Sequence, residues 1–135
     1  MHIEVNVTKN MLKHIYGAND GIAIRNDCKD MRVHQMSWVD EHGQFDRASA
    51  SWIFPRAILK EMNKIFSTTR FPSHYGVSFQ GSCQPNDFHI PHGLKSHDYH
   101  KMMQHMLPIA VRCASPDPDY KSLRECIYEL STLFR

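Results

Sequence analysis

The chain has 135 residues, of which 41% are hydrophobic and 22% charged, as is usual for one soluble domain with a modest core. The formal net charge is +2 when the ten histidines are counted as neutral. This charge is too small to indicate nucleic-acid binding by itself.

The four cysteines are scattered along the chain and form no C-x-x-C pair. We interpret them as reduced thiols of an intracellular protein rather than as a disulfide framework. No apolar run is long enough to span a bilayer, and the N-terminus has no basic start followed by an apolar stretch. These features predict a nuclear or cytoplasmic protein without a membrane span.

Apolar residues recur every four positions in residues 1–16, which predicts an amphipathic helix that ends at Gly17. The expected buried face consists of Ile3, Val7, Met11 and Ile15, with Leu12 beside them. Glu4 lies on the opposite face, where a solvated carboxylate in the first turn is the favoured interpretation. A chain that starts within a helix is expected to be cut from something longer.

Residues 19–33 predict a second helix, capped by Asn19 or Asp20. Its apolar face is weaker and comprises Ile22, Ala23, Asn26 and Cys28. Asp27 and Asp30 have basic neighbours, which favours a salt-bridged surface over a metal site. Residues 35–51 are polar and turn-like and predict a connection, from which Trp38 and Phe45 pack back on the core.

Residues 52–69 contain a third predicted helix with Pro55 in its first turn. Its buried stripe is expected to comprise Ile58, Leu59, Met62, Ile65 and Phe66. Residues 77–92 are rich in Gly, Pro and Asn and predict an irregular loop with room for one short β element near Val77 and Phe79.

A fourth helix is predicted within the stretch 93–108, with Ser96 as its N-cap and Asp98 in its first turn. Its apolar face comprises Tyr99, Met102, Met103, Met106 and Leu107. Pro108 lacks a backbone N–H and is expected to kink or split this helix. The methionine stripe is interpreted as core filler rather than as a flexible partner groove.

The last predicted helix covers residues 120–134, with Asp117 or Asp119 as its cap. The whole pattern predicts a mainly α fold: one domain over residues 1–135, with about five helices and irregular loops. The expected core comprises Ile3, Val7, Met11, Ile58, Met62, Ile65, Met102, Met106, Leu123, Ile127 and Leu130.

Five histidines lie between residues 89 and 105. If His92 folds back from the loop towards His97 and His100, the three imidazoles can hold zinc, with Asp98 orienting one of them. The chain has no His-Glu-x-x-His motif and no cysteine pair at finger spacing, so surface histidines are the favoured interpretation.

Two segments carry specific motifs: residues 1–7 read MHIEVNV, and residues 93–112 read GLKSHDYHKMMQHMLPIAVR. Together they resemble plant CACTA (En/Spm-like) transposases, in the region at and following the end of the DDE catalytic core. The matched positions with polar side chains or Pro are His2, Glu4, Asn6, Lys95, Ser96, His97, Asp98, His100, Pro108 and Arg112. Val5 replaces the family's usual Lys, and Tyr99 replaces its Cys.

The resemblance implies a nuclear DNA-processing enzyme whose carboxylates hold divalent metal ions such as magnesium. Glu4 is the candidate for the family's third acidic residue, but the two catalytic Asp residues would lie upstream of Met1. We therefore expect a noncatalytic helical fragment that acts as an interaction or regulatory module, through a protein partner or self-association. DNA would be reached through a parent-type transposase, or directly through Lys95, Lys101 and Arg112.

Two alternatives stay open. The first is a small His-rich metal-binding protein that uses His92, His97 and His100. The second is a metal-dependent nuclease, for which Glu4, Asp27 and Asp30 would have to converge.

Overall fold

The structure, a computed structural model, describes residues 2–18, 21–32, 53–75 and 78–135. Its helices are α1 His2–Ile15, α2 Ile22–Asp30, α3 Arg56–Thr68, α4 Ser96–Lys101, α5 Leu107–Ala114 and α6 Lys121–Leu133. A π-helical segment, Met102–Met106, joins α4 to α5, so the described residues contain five helices when this run is counted once. The predicted mainly α class is confirmed, and these residues contain no strand; Val77 lies outside them.

The core lies around the run of residues 102–111. α3 and α6 both pack against α5, α6 also contacts the π-helical segment, and α1 packs against α4. The fully buried side chains of the central run are Met102, Met103, Leu107, Ala110 and Val111. The predicted methionine core is therefore confirmed, with Leu59, Met62 and Phe66 of α3 facing it as expected. Ile58, Ile65 and Leu123 pack at its edge and stay partly exposed.

The buried face of α1 differs from the predicted one. Ile3 is 74% exposed, whereas Glu4, Val5, Thr8, Leu12 and Ile15 are buried. The helix is thus rotated about its axis so that Glu4 and Thr8 face inward. The reason is tertiary, because α4 provides a polar partner for Glu4, and a partnered carboxylate can be buried at an acceptable cost.

The end of α1 follows the prediction. Gly17 has a φ of +74°, in the left-handed region that favours glycine. The Gly17 N–H donates to the carbonyl of His14 at 3.1 Å, and the Ala18 N–H donates to that of Lys13 at 2.8 Å. This pair of bonds is a Schellman motif, which ends the helix at Ile15.

The short helix α2 does not use its predicted apolar face. Ile22 is 62% exposed, Ala23 and Asn26 are exposed, and the fully buried side chain is that of Arg25. The predicted caps Asn19 and Asp20 and the connection with Trp38 and Phe45 lie outside the described residues.

The N-cap of α4 is Lys95, one residue before the predicted Ser96. The Asp98 carboxylate reaches back and accepts from the Lys95 N–H at 2.8 Å. This bond satisfies a free donor at the helix N-terminus and removes the need for a hydroxyl cap. Asp117 caps a 3-10 turn, Pro118–Tyr120, that precedes α6, and its Oδ1 accepts from the Asp119 N–H at 2.9 Å.

Pro108 does not split the helix, because the backbone stays helical through residues 96–114. The Leu107 N–H donates to the carbonyl of Met102, five residues earlier, so the hydrogen-bond pattern widens just before the proline. Pro108 has no N–H for the Gln104 carbonyl, and the Ser131 hydroxyl of α6 donates to that carbonyl at 3.0 Å. No helix within the described ranges is both long and apolar enough to cross a membrane.

Candidate functional site

The most distinctive polar contact joins α1 to α4. Glu4 Oε2 forms a close hydrogen-bonded pair with Nδ1 of His100. The Glu4 side chain is 5% exposed and that of His100 is 26% exposed, so the pair lies at the edge of the core. The favoured interpretation of Glu4 as a solvated carboxylate is therefore wrong.

The second carboxylate oxygen of Glu4 makes this site unusual. Oε1 is buried and has no hydrogen-bond partner among the described residues. An unsatisfied buried acceptor is destabilising by about 1–3 kcal/mol, and such atoms are rare in native proteins, where an ordered water, a bound ion or a catalytic role accounts for some of them. The backbone carbonyl of Glu4 accepts from the Thr8 hydroxyl at 2.8 Å.

The surroundings of this pair are aromatic and basic. The Lys9 ammonium lies 5.0 Å from the centre of the Tyr99 ring, which adds a second contact between α1 and α4. Partial burial, with a smaller effect from the Asp98 charge, raises the pKa of Tyr99. The two segments that carry the family motifs thus meet at one helix crossing.

The other motif residues lie mainly at the surface. The exposed ones are His2, Asn6, Lys95, Ser96, His97 and Arg112, whereas Asp98 and Pro108 are half-buried. His97 Nε2 lies 3.5 Å from the carbonyl oxygen of Tyr75, at the limit of a hydrogen bond. Of the matched set, the structure therefore joins only Glu4 and His100 by a hydrogen bond between two side chains within the described residues.

The structure does not gather the predicted zinc ligands. His92 is exposed, and its N–H donates to the carbonyl of Ser82 at 2.9 Å. In the part of the chain that is described, no three His, Cys, Asp or Glu side chains are arranged to hold a metal ion. A site made of His92, His97 and His100 would have to use Nε2 of His100, because its Nδ1 is paired with Glu4, and zinc binding stays a prediction.

The three carboxylates that the nuclease alternative requires also differ in their burial. Glu4 is buried against α4, whereas Asp27 and Asp30 are exposed on α2. These three side chains, all within the described residues, form no metal-holding group.

A buried polar network that the sequence did not indicate ties α1, α3 and the following loop together. The Tyr16 hydroxyl donates to Asn63 Oδ1 at 2.6 Å, and Asn63 Nδ2 donates to the carbonyls of Asp87 and His89, each at 2.9 Å. Burial raises the pKa of Tyr16 well above its usual range, with smaller effects from Cys83 and Asp87. Asn63 is fully buried, although the other buried residues of its helix are apolar. The sequence pattern at this position does not distinguish an amide that holds a buried hydrogen-bond network from an amide at the surface.

A groove of about 580 Å³ lies between the π-helical segment, α5 and α6. Its lining includes the charged residues Arg112, Glu125 and Glu129, with His105 on the same surface. Partial burial lowers the pKa of His105, and the positive charges of Lys101, Arg135 and His100 act in the same direction.

Comparisons with known proteins add no family to this description. No protein-family model, curated protein or solved structure matches the chain. Its function must therefore be argued from the residues and their contacts.

Proposed function

We propose that this chain is a noncatalytic helical interaction module derived from a CACTA-type transposase. The observation that supports the proposal is the pair between Glu4 and His100, because it joins the two segments that resemble the family. By the same resemblance, the nucleus is the expected compartment.

The environment of Glu4 supports a noncatalytic role. A metal-dependent strand transfer needs several carboxylates around one or two cations. Glu4 instead has one oxygen bonded to His100 and the other enclosed, and within the described residues it forms no metal-holding group with the exposed side chains of Asp27 and Asp30. In this chain Glu4 therefore links α1 to α4 through its hydrogen bond with His100.

The surface supports an interaction role. Large apolar side chains that are more than half exposed occur on α1, at α2, and on α5 and α6; they are Ile3, Ile22, Met31, Ile109, Tyr128 and Leu133. Two of them, Ile109 and Tyr128, line the same groove, and apolar side chains exposed together are typical of surfaces that another protein covers.

A binding experiment tests this function. The purified chain is titrated into a catalytically complete CACTA-type transposase, and binding is followed by isothermal calorimetry. Saturable binding that weakens in the Ile3→Ser variant, with Lys60→Ser on an exposed position of α3 as the control, would support the module. Absence of binding at high-micromolar concentration would remove the support for it.

An activity assay tests the nuclease alternative. The chain is incubated with supercoiled DNA and either Mg²⁺ or Mn²⁺, beside a Glu4→Gln variant purified in the same way. We expect no cleavage by either protein. Cleavage by the wild type that Glu4→Gln abolishes would replace the proposal with the nuclease.

Metal binding is the second candidate function, and the buried, unpartnered oxygen of Glu4 beside His100 favours it. A carboxylate oxygen and an imidazole nitrogen are both ligands that zinc accepts, whereas magnesium prefers oxygen. Elemental analysis of the purified chain tests this candidate. Stoichiometric zinc lost in both His100→Ala and His97→Ala would support the histidine site, and its absence after dialysis against zinc would exclude it.

A further inference from the structure

The groove between α5 and α6 carries unpaired charges of both signs. Arg112 extends from α5 and Glu129 from α6, and both are exposed groove residues. No hydrogen bond or ion pair engages either side chain within the described residues. Arg124 differs, because its Nη1 donates to the carbonyls of Ser115 and Asp117, the latter at 2.7 Å.

Apolar side chains line the same groove as these charges. Ile109 of α5 is 53% exposed and Tyr128 of α6 is 60% exposed, and both line the groove. The combination of an exposed aromatic ring, an aliphatic side chain and flanking charges is the composition of an interface core with its polar rim.

The charge pattern discriminates between possible occupants. A nucleic acid or an acidic peptide would gain from Arg112 and Arg135 but would be repelled by Glu125 and Glu129 on the same groove. A second copy of this chain carries both signs on the same groove. Across a two-fold axis a surface contacts itself, so an arginine of one copy can face a glutamate of the other, and each pair occurs twice.

We propose that the groove between α5 and α6 is the interface of a two-fold symmetric homodimer, with Arg112 of each copy paired to Glu129 of the other. Ile109 and Tyr128 of both copies form its apolar centre. This inference rests on the proposed function as an interaction module and names a second copy of the chain as the partner.

Charge reversal and its rescue test the interface. Sedimentation equilibrium gives the dimer dissociation constant of the wild type and of Arg112→Glu, Glu129→Arg and the double reversal. Each single reversal is expected to raise that constant by about tenfold or more, because it creates like-charge contacts twice across the axis. The double reversal restores opposite charges and is expected to return the constant to within about threefold of the wild type.

Two controls separate loss of the interface from loss of the fold. Circular dichroism and thermal unfolding of each variant report folding, since Arg112 and Glu129 are exposed and unpartnered within the described residues. Lys60→Glu, a reversal on an exposed position of α3 outside the groove, is expected to leave the dissociation constant unchanged.

The outcomes distinguish this inference from the proposed function. A wild-type chain that is monomeric at high-micromolar concentration overturns the homodimer, and so does a dimer that both single reversals leave intact. Neither result affects binding to a CACTA-type transposase, which is measured separately. Conversely, a dimer with the expected rescue but no transposase binding supports the interface and removes the transposase partner.

Discussion

At the scale of single residues, the buried carboxylate of Glu4 explains which face of α1 is turned inward. A charged side chain leaves water only when a partner offsets the desolvation, and His100 on α4 is that partner. The pair therefore couples the orientation of α1 to the position of α4. The other carboxylate oxygen of Glu4, Oε1, is buried and has no hydrogen-bond partner among the described residues.

Removal of His100 should reveal this coupling. His100→Ala is expected to lower the free energy of unfolding by about 2–4 kcal/mol, because the buried Glu4 carboxylate loses its hydrogen-bonded partner. The double variant Glu4→Leu/His100→Ala should recover part of this loss, since no buried charge remains. Urea unfolding at neutral pH measures both values.

His97→Ala is the matched control for this pair, since it removes an exposed histidine from the same helix. It should change stability by less than about 0.5 kcal/mol. A double variant that is less stable than His100→Ala would contradict the assignment of Glu4 as a buried charge held by His100.

Asn63 is a second polar residue whose contacts are tertiary. Asn63→Leu is expected to destabilise the fold by about 2–4 kcal/mol, because the Tyr16 hydroxyl and two loop carbonyls lose their partner together. Tyr16→Phe removes only one of these bonds and should cost about 1 kcal/mol. Chemical denaturation compares the two variants, and equal losses would count against a shared network.

At the scale of elements, the π-helical segment is the feature that adapts the central helix to Pro108. A proline inside an α-helix removes a donor and crowds the carbonyl four residues earlier. The wider turn over Met102–Met106 precedes the proline, and the Ser131 hydroxyl supplies a donor to the Gln104 carbonyl. The central run can therefore stay helical while α6 is held against it.

A double-mutant cycle tests this compensation. Ser131→Ala is expected to lower stability by about 1–2 kcal/mol, because the Gln104 carbonyl loses its donor from α6. In a Pro108→Ala background the loss should be smaller, since the new backbone N–H at position 108 can donate to Gln104. Thermal unfolding of the four proteins gives the coupling energy.

Thr132→Ala is the control for this cycle, because the Thr132 hydroxyl donates to the Tyr128 carbonyl at 3.0 Å within its own helix and is exposed. Its effect should stay below about 0.5 kcal/mol in both backgrounds. A Ser131→Ala loss that is the same with and without Pro108 would show that the two residues are not coupled.

At the scale of the whole molecule, positive charge around His105 makes stability depend on pH. Partial burial and the charges of Lys101, Arg135 and His100 lower the pKa of His105 in the folded state. The unfolded chain then binds the proton more readily, so this contribution to stability is complete above a pH of about 6.5 and is lost as the pH falls. His105→Asn should therefore reduce the decline in stability between neutral and mildly acidic pH.

Nuclear magnetic resonance titration checks the cause directly. Lys101→Gln removes one of the positive charges and should raise the pKa of His105 towards its usual value. Lys9→Gln is the control, because that lysine contacts the Tyr99 ring and is not among the groups that act on His105. A pKa of His105 that Lys101→Gln does not move would show that Lys101 makes no contribution, and would leave partial burial with Arg135 and His100 as the causes.

The sequence predicted the elements whose burial follows from periodicity. The stripe of α3, the methionines of the central run and Gly17 as the end of α1 need only local spacing and backbone preference, and all three are found. The resemblance also singled out Glu4 and His100, though not as partners. Their contact depends on how α1 crosses α4, which no local pattern encodes.

By itself, the sequence determined that this chain is mainly helical and has its core around the central helix, because apolar periodicity and helix-ending residues act locally. Only the tertiary structure decided which face of α1 is buried, because a partner on another helix made a carboxylate more favourable inside than Ile3. It also decided that Asn63 joins three segments and that Ser131 compensates for Pro108. These are contacts between groups far apart in the chain, and their free energy exists only once the helices have packed.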